Sequence, residues 1–293
     1  SFYRLLRDSL AAGAEQLRVP YNVDEEIVGH VETFVLGPKA GFAAEAYVLG
    51  LFQLYPTVYF HKTTRGAEKI FSALLERVVF LSLDGSVDQT GLPVNHPLVK
   101  FAREPDSLDN LLELDDTAVW GALCMLVEAP DVQISTLAKR LKNRDLLKCV
   151  DIRQRIVHTL FPSVGARQLS QPEYEKRIEK AVLDVEQKVY EWRKAYESRE
   201  TRILIDRQER DPYKRFQESK GPLNQIRIRL TGGEVADMAE HSAVVSALAP
   251  FRLFRAYVDP NDDEARKFLE SAIKAACAEG SAQDASGEAS KGS

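Results

Sequence analysis

The stretch AEAYVLGLFQLYPTVYFHKTTRGAEKIFSALLERV, Ala44 to Val78, sets the first constraint on what this chain can fold into. Its apolar residues recur at helical spacing. That predicts one long helix, or a pair kinked at Pro56, running from about Gly41 to Leu81. An amphipathic run of that length belongs in a helical body, where its apolar side is covered. In its middle, VYFHKTT sets His61 and Lys62 between aromatics and threonines. Such a pair is costly inside a helix unless an anion lies nearby.

Most other segments also read as helices. Phe2, Leu5, Leu6 and Leu10 share helical spacing up to Gly13. Tyr21 to Leu36 reads as a short helix with the acidic start Asp24-Glu25-Glu26, broken by Gly37-Pro38. LLELDDTAVWGALCMLV opens a helix on Asp115 and Asp116, an ordinary acidic first turn that favours the helix dipole. ISTLAKRLKNRDLLKCV has one apolar and one basic face, and a long charged helix spans Pro172 to Tyr196. Strands are predicted only later. They are ETRILID (Glu200 to Asp206), NQIRIRL (Asn224 to Leu230) with Ile226, Ile228 and Leu230 alternating with polar residues, and a third in LFRAYVDP. TGGE at 231–234 reads as a turn between strands, since no Gly-Lys-Ser/Thr follows to make a phosphate loop. The expected architecture is mainly α. A helical body occupies 1–165, the charged helix and a small α+β appendage occupy 166–278, and a disordered tail follows over 279–293.

Composition excludes several classes. With 39 basic and 44 acidic residues among 293, the net charge is −5, which is no footprint for a general nucleic-acid binder. The local basic set Lys139, Arg140, Lys142, Arg144 and Lys148 reads first as a solvated helix face. Cys124, Cys149 and Cys277 lie far apart and match no metal spacing, as expected of free thiols in a reducing compartment. No run approaches the roughly 18 apolar residues that span a bilayer, and no signal pattern opens the chain. A cytoplasmic protein with no membrane partner is the expectation. The chain opens on Ser1 already in helical register, so it is expected to be a fragment, a processed product or a truncated frame.

YVLGLFQLYPTVYFHKTTRGAEKIF resembles a segment of the HD-domain metal-dependent phosphohydrolases, especially the deoxynucleoside triphosphate triphosphohydrolase branch. The shared positions are Tyr55, Val58, Tyr59, His61 and Lys62, followed by Arg65 and Ala67-Glu68. RLLRDSLAAG, LELDDTAVWGAL, LAKRLKNRDLLKCV and NQIRIRLTGGEV are similar to further pieces of that branch in the same order, over most of residues 1–260.

The resemblance implies a helical HD-type body whose ligand is a nucleotide or other phosphorylated small molecule. It implies a pocket wall made by Asp8 toward the sugar, Tyr59 as a stacking face, His61 and Lys62 toward phosphate, and Arg65 on the substrate side of the pocket. It also implies a divalent metal of Mg, Mn, Fe or Zn type, held by a His, a His-Asp pair and a last Asp that would precede Ser1. This chain has no His followed by Asp, so it is expected to be the C-terminal part of such an enzyme and inactive alone. An alternative is a degenerate, non-catalytic relative that forms homo-oligomers or senses a ligand. Leu51, where the family carries a phosphate-contacting arginine, favours it. Residue by residue the plainer readings stand beside these: core packing for Tyr55 and Tyr59, a rim histidine for His61, and a lysine reaching into solvent for Lys62.

Overall fold

The computed structural model describes residues 15–23, 26–162, 170–196, 201–213 and 225–289. In chain order the elements begin with strands β1 (Glu15–Val23) and β2 (Glu26–Leu36), helix α1 (Gly41–Leu54), a π-helical turn (Tyr55–Tyr59) and helix α2 (Lys62–Leu83). Helices α3 (Pro97–Arg103), α4 (Leu108–Leu112), α5 (Asp116–Val127) and α6 (Val132–Asn143) follow. Then come β3 (Lys148–Asp151), α7 (Ile152–Leu160), α8 (Gln171–Tyr196), β4 (Ile203–Arg210), β5 (Arg227–Arg229) and β6 (Val235–Asp237). The last elements are α9 (Met238–His241), α10 (Ala243–Ser246), β7 (Phe251–Val258) and α11 (Asp263–Ala289). The chain is mainly α.

The chain divides into two units, one of residues 1–61 with 208–252 and one of 62–207 with 253–293. The boundary expected near residue 165 therefore falls inside the second unit. Three expectations about the elements are corrected. Tyr21 to Leu36 is not a helix but part of the β1–β2 antiparallel hairpin, with Val19 opposite Val31 and Pro20 opposite His30. Leu17, Val19, Tyr21 and Val23 alternate with Gln16, Arg18, Pro20 and Asn22. The β-branched Val28, Val31, Thr33 and Val35 also favour a pleated surface over a helix. Pro20 is tolerated because β1 is the edge of its sheet among the described strands. The strands also do not form one three-stranded appendage: they divide between a sheet ordered β1-β2-β5-β6 and another ordered β3-β7-β4. In addition, α11 continues to Ala289, past Glu279 where the tail was expected to begin.

In the first unit β2 pairs in parallel with β5 through Val35–Arg227 and Leu36–Ile228, and β5 turns back into β6. Gly233, at φ 90°, makes the tight return at TGGE, a conformation that favours glycine. A small core of Leu36, Ala44, Val48, Ile228, Met238 and Val245 seats α1 on this sheet. Tyr213 ties the unit together: its hydroxyl donates to Asp237 at 2.7 Å and accepts from the Ile226 amide at 2.9 Å.

In the second unit the β3-β7-β4 sheet is buried on both faces. Ile203, Phe254, Ala256 and Val258 face Ile178 and Val185 of α8 and Leu269 and Ile273 of α11. On the other face, Leu204 and Tyr257 join Ile70, Leu74 and Val78 of α2, Leu126 of α5 and Ile134 of α6. The period-two alternation along β4 and β7 builds two separate apolar layers from one sheet. Each fully buried aliphatic side chain in them contributes roughly 1.5–3 kcal/mol.

Candidate functional site

The long run from Gly41 breaks where the chemistry was expected. α1 ends at Leu54, and Pro56 has no amide with which to continue the helical ladder. The turn widens so that the Phe60 amide donates to the Tyr55 carbonyl at 2.7 Å, five residues back. A new helix then starts at Lys62. The division between units falls between His61 and Lys62, so Tyr59 and His61 belong to the first unit and Lys62 and Arg65 to the second. Asp8 lies outside the described residues.

On the first side, Tyr55 and Phe60 are packed rather than presented. Their rings stack at 5.7 Å, Phe60 stacks on Phe251 at 5.3 Å, and the Arg210 guanidinium lies over Tyr55 with its Nε donating to the phenol at 3.1 Å. Tyr59, tilted against Tyr55 at 5.5 Å, remains exposed, and so does His61.

On the second side, Lys62, Thr63 and Thr64 are exposed at the start of a 22-residue helix. A helix start leaves its first amides without intrahelical acceptors and concentrates positive potential. The Lys62 charge reaches Cys149, where burial pushes the thiol up and Arg255 and Lys62 oppose it. Arg65 is placed differently. Its guanidinium grips Asp206 through Nε at 2.9 Å and through Nη2, while Nη1 donates to Glu68. Asp206 is fully buried, and Lys69 stands 3.7 Å from the same carboxylate. The hydrogen bond with Asp206 raises the Arg65 pKa against the opposing effect of burial. Close by, Gly66 packs against the Tyr257 ring, where an added Cβ would lie 3.0 Å from Cε1. Burial pushes the Tyr257 hydroxyl well above its ordinary value.

Asp206, Lys69 and Tyr257 escaped the sequence reading. One signal for Asp206 was available: in ETRILID it shares the face of Leu204, an inward position where an acid requires a partner. Asp115 caps α5 by accepting the Ala118 amide at 2.7 Å, in keeping with the structural reading of the Asp115-Asp116 pair. In the basic set, Arg140 is engaged by Asp145 and Asp259. A cavity of about 290 Å³ beside it is lined by Gln133, Arg140, Thr201, Arg202, Asp259 and Asp262 and includes none of the expected site residues. Its two arginines are matched internally, Arg140 by Asp259 and Arg202 by Asp262 at 2.6 Å. Among the described residues no group of three or more His, Cys, Asp or Glu could hold a metal ion. The divalent metal implied by the resemblance therefore does not fit the described side chains. Among the described residues, too, no helix is long and apolar enough to cross a membrane.

Comparison with known proteins gives a fold and a partial relative. No family model matches the chain. An uncharacterized protein of Bacillus subtilis, YwfO, is 30% identical over 120 residues, covering 41% of this chain and 27% of YwfO. A crystal structure described as a phosphohydrolase from Bacteroides thetaiotaomicron superposes with a TM-score of 0.50 at 21% identity, over 77% of this chain and 52% of that one. A hypothetical protein from Aquifex aeolicus superposes with a TM-score of 0.45 at 20% identity, over 83% of this chain and 47% of that one. The chain thus spans about a quarter of the curated relative and about half of each solved structure. At this identity, what it shares with the Bacteroides phosphohydrolase is the fold.

Proposed function

We propose that this chain is the C-terminal, phosphate-facing part of an HD-type phosphohydrolase acting on a nucleotide or other phosphate ester. The observation that carries the reading is the fresh start of α2 at Lys62, which leaves Lys62, Thr63 and Thr64 exposed over the helix's first amides. Such a start favours a phosphate oxygen through amide donors, dipole and a lysine point charge together. The fold shared with the Bacteroides phosphohydrolase and the VYFHKTT resemblance point the same way. In this reading Lys62 meets phosphate. Arg65 contributes by holding the α2 start through Asp206. This chain has no His followed by Asp for the water-activating metal of the resembled family, so in this reading the chain alone binds without hydrolysing.

Titration calorimetry with dATP and with inorganic phosphate tests this, using Lys62→Met as the variant. The expected result is binding of both, at least tenfold weaker in Lys62→Met at unchanged melting temperature. Absence of binding, or indifference to the substitution, refutes the phosphate site. Turnover of dATP by the chain with Mn2+ refutes the inactivity. A second reading, a degenerate relative that oligomerises or senses a ligand, is favoured by Leu51, half-buried in α1 where the family has arginine. A monomer in sedimentation at micromolar concentration, together with no dATP binding, would count decisively against it.

A further inference from the structure

Between Glu104 and Asp131 the chain carries eight carboxylates and no lysine or arginine. The same 28 residues hold a concentration of exposed large apolar side chains: Leu108 at 66%, Leu111, Leu112 at 72%, Trp120 at 57% and Met125. Single exposed leucines need no explanation, but several on one short segment mark a surface that something covers. The segment is also firmly seated. Leu114, Val119 and Leu123 pack inward on the α2–α6 core, Asp131 caps α6, and the Trp120 ring stacks on Phe71 of α2 at 5.6 Å. Leu108, Leu111 and Leu112 occupy i, i+3 and i+4 of α4, the spacing that forms one ridge on a helix surface.

The charges select the occupant. Asp106, Asp109, Asp116 and Glu128 are all exposed on the same segment as these apolar groups. A two-fold contact with a second copy would set carboxylates against carboxylates. Nucleic acid and anionic lipid are repelled for the same reason. What fits is a segment of opposite charge with its own apolar stripe. We propose that the α4–α5 surface docks a basic amphipathic helix of another protein, with Leu108, Leu112 and Trp120 taking its apolar residues and the surrounding aspartates its lysines or arginines. Apolar anchors supply affinity in such a helix-on-surface contact, and the charges supply approach and orientation. The stacked, preseated Trp120 suits the part of an anchor, since little of its freedom remains to be lost on binding.

The probe is a fluorescein-labelled 18-residue helical peptide of leucine and lysine, with leucines at i, i+3, i+4 and i+7, followed by anisotropy at 50 and 500 mM NaCl. Two control peptides carry glutamate for lysine, or the same composition with the leucine stripe scrambled. The expected result is saturable one-to-one binding of the basic peptide, at least tenfold weaker for both controls and weakened by salt. Leu112→Ser and the pair Asp106→Lys, Glu128→Lys, which lie outside the helix first turns, should each weaken it at least tenfold, with circular-dichroism melts unchanged. Equal binding of the basic and acidic peptides, or of the striped and scrambled ones, overturns the proposal. Concentration-dependent dimerisation abolished by Leu112→Ser also overturns it, by assigning the surface to a second copy.

Discussion

Removing Arg65 separates a structural role from a ligand-binding one. Arg65 side-chain exposure is 14% and that of Asp206 is 0%, so the pair is shielded from screening by solvent. Arg65→Met takes the guanidinium donors away from a fully buried carboxylate and leaves the Lys69 ammonium at 3.7 Å beside it. Stripping one partner from a buried pair costs about 3–5 kcal/mol, and the surviving Lys69 places this case near the lower end, about 3 kcal/mol. For a unit of this size each kcal/mol lowers the melting temperature by about 2–4 °C, so a fall of about 6–12 °C is expected. Replacing both partners, Arg65→Met with Asp206→Leu, removes the stranded charge and should recover much of the loss, giving a coupling of about 1–3 kcal/mol. Both tryptophans, Trp120 and Trp192, lie in the second unit, so urea unfolding followed by their fluorescence reports on that unit. If Arg65→Met unfolds at the wild-type urea concentration while dATP binding drops more than tenfold, Asp206 is not its partner and the reasoning fails.

Gly66→Ala presses a methyl onto the Tyr257 ring at 3.0 Å, and an overpacking cost of about 1–3 kcal/mol should appear in the same urea experiment. Asp131 accepts the Ile134 amide at 2.9 Å and two Arg77 donors at 2.7 and 3.1 Å, so Asp131→Ala should cost about 1–2 kcal/mol. Burial raises the Asp131 pKa, but these bonds outweigh it and hold the carboxyl below 3.8. Its stabilisation is therefore complete above that value and lost as pH falls through the depressed native one, so Asp131→Asn should flatten the acid limb of stability against pH measured below pH 4. Cys124 is exposed, whereas burial pushes the Cys149 and Cys277 thiols up, so Ellman's reagent at pH 8 should titrate one thiol promptly and the other two only in denaturant.

Local chemistry was legible in the sequence; distant partnership was not. The mainly α character, the interruption near Pro56, the acidic start of α5 and the strand around Ile228 all follow from neighbours within a turn or a period of the residue concerned. The β1–β2 hairpin was misread because Asp24-Glu25-Glu26 resembles a helix start, and β2 finds its second partner, β5, almost two hundred residues later. The same distinction sorts the expected site residues. Arg65 was expected on the substrate side of a pocket, and its partner Asp206, 141 residues away on β4, appears only in the fold. A buried carboxylate binds that guanidinium more firmly than an exposed phosphate can, because withdrawing Arg65 would leave Asp206 desolvated and short of a charge partner. Lys62 is under no comparable demand from a fully buried carboxylate: it is exposed, and its amide belongs to a helix start. In the proposed function, Lys62 can therefore follow an anion without loss to the core, and Arg65 cannot.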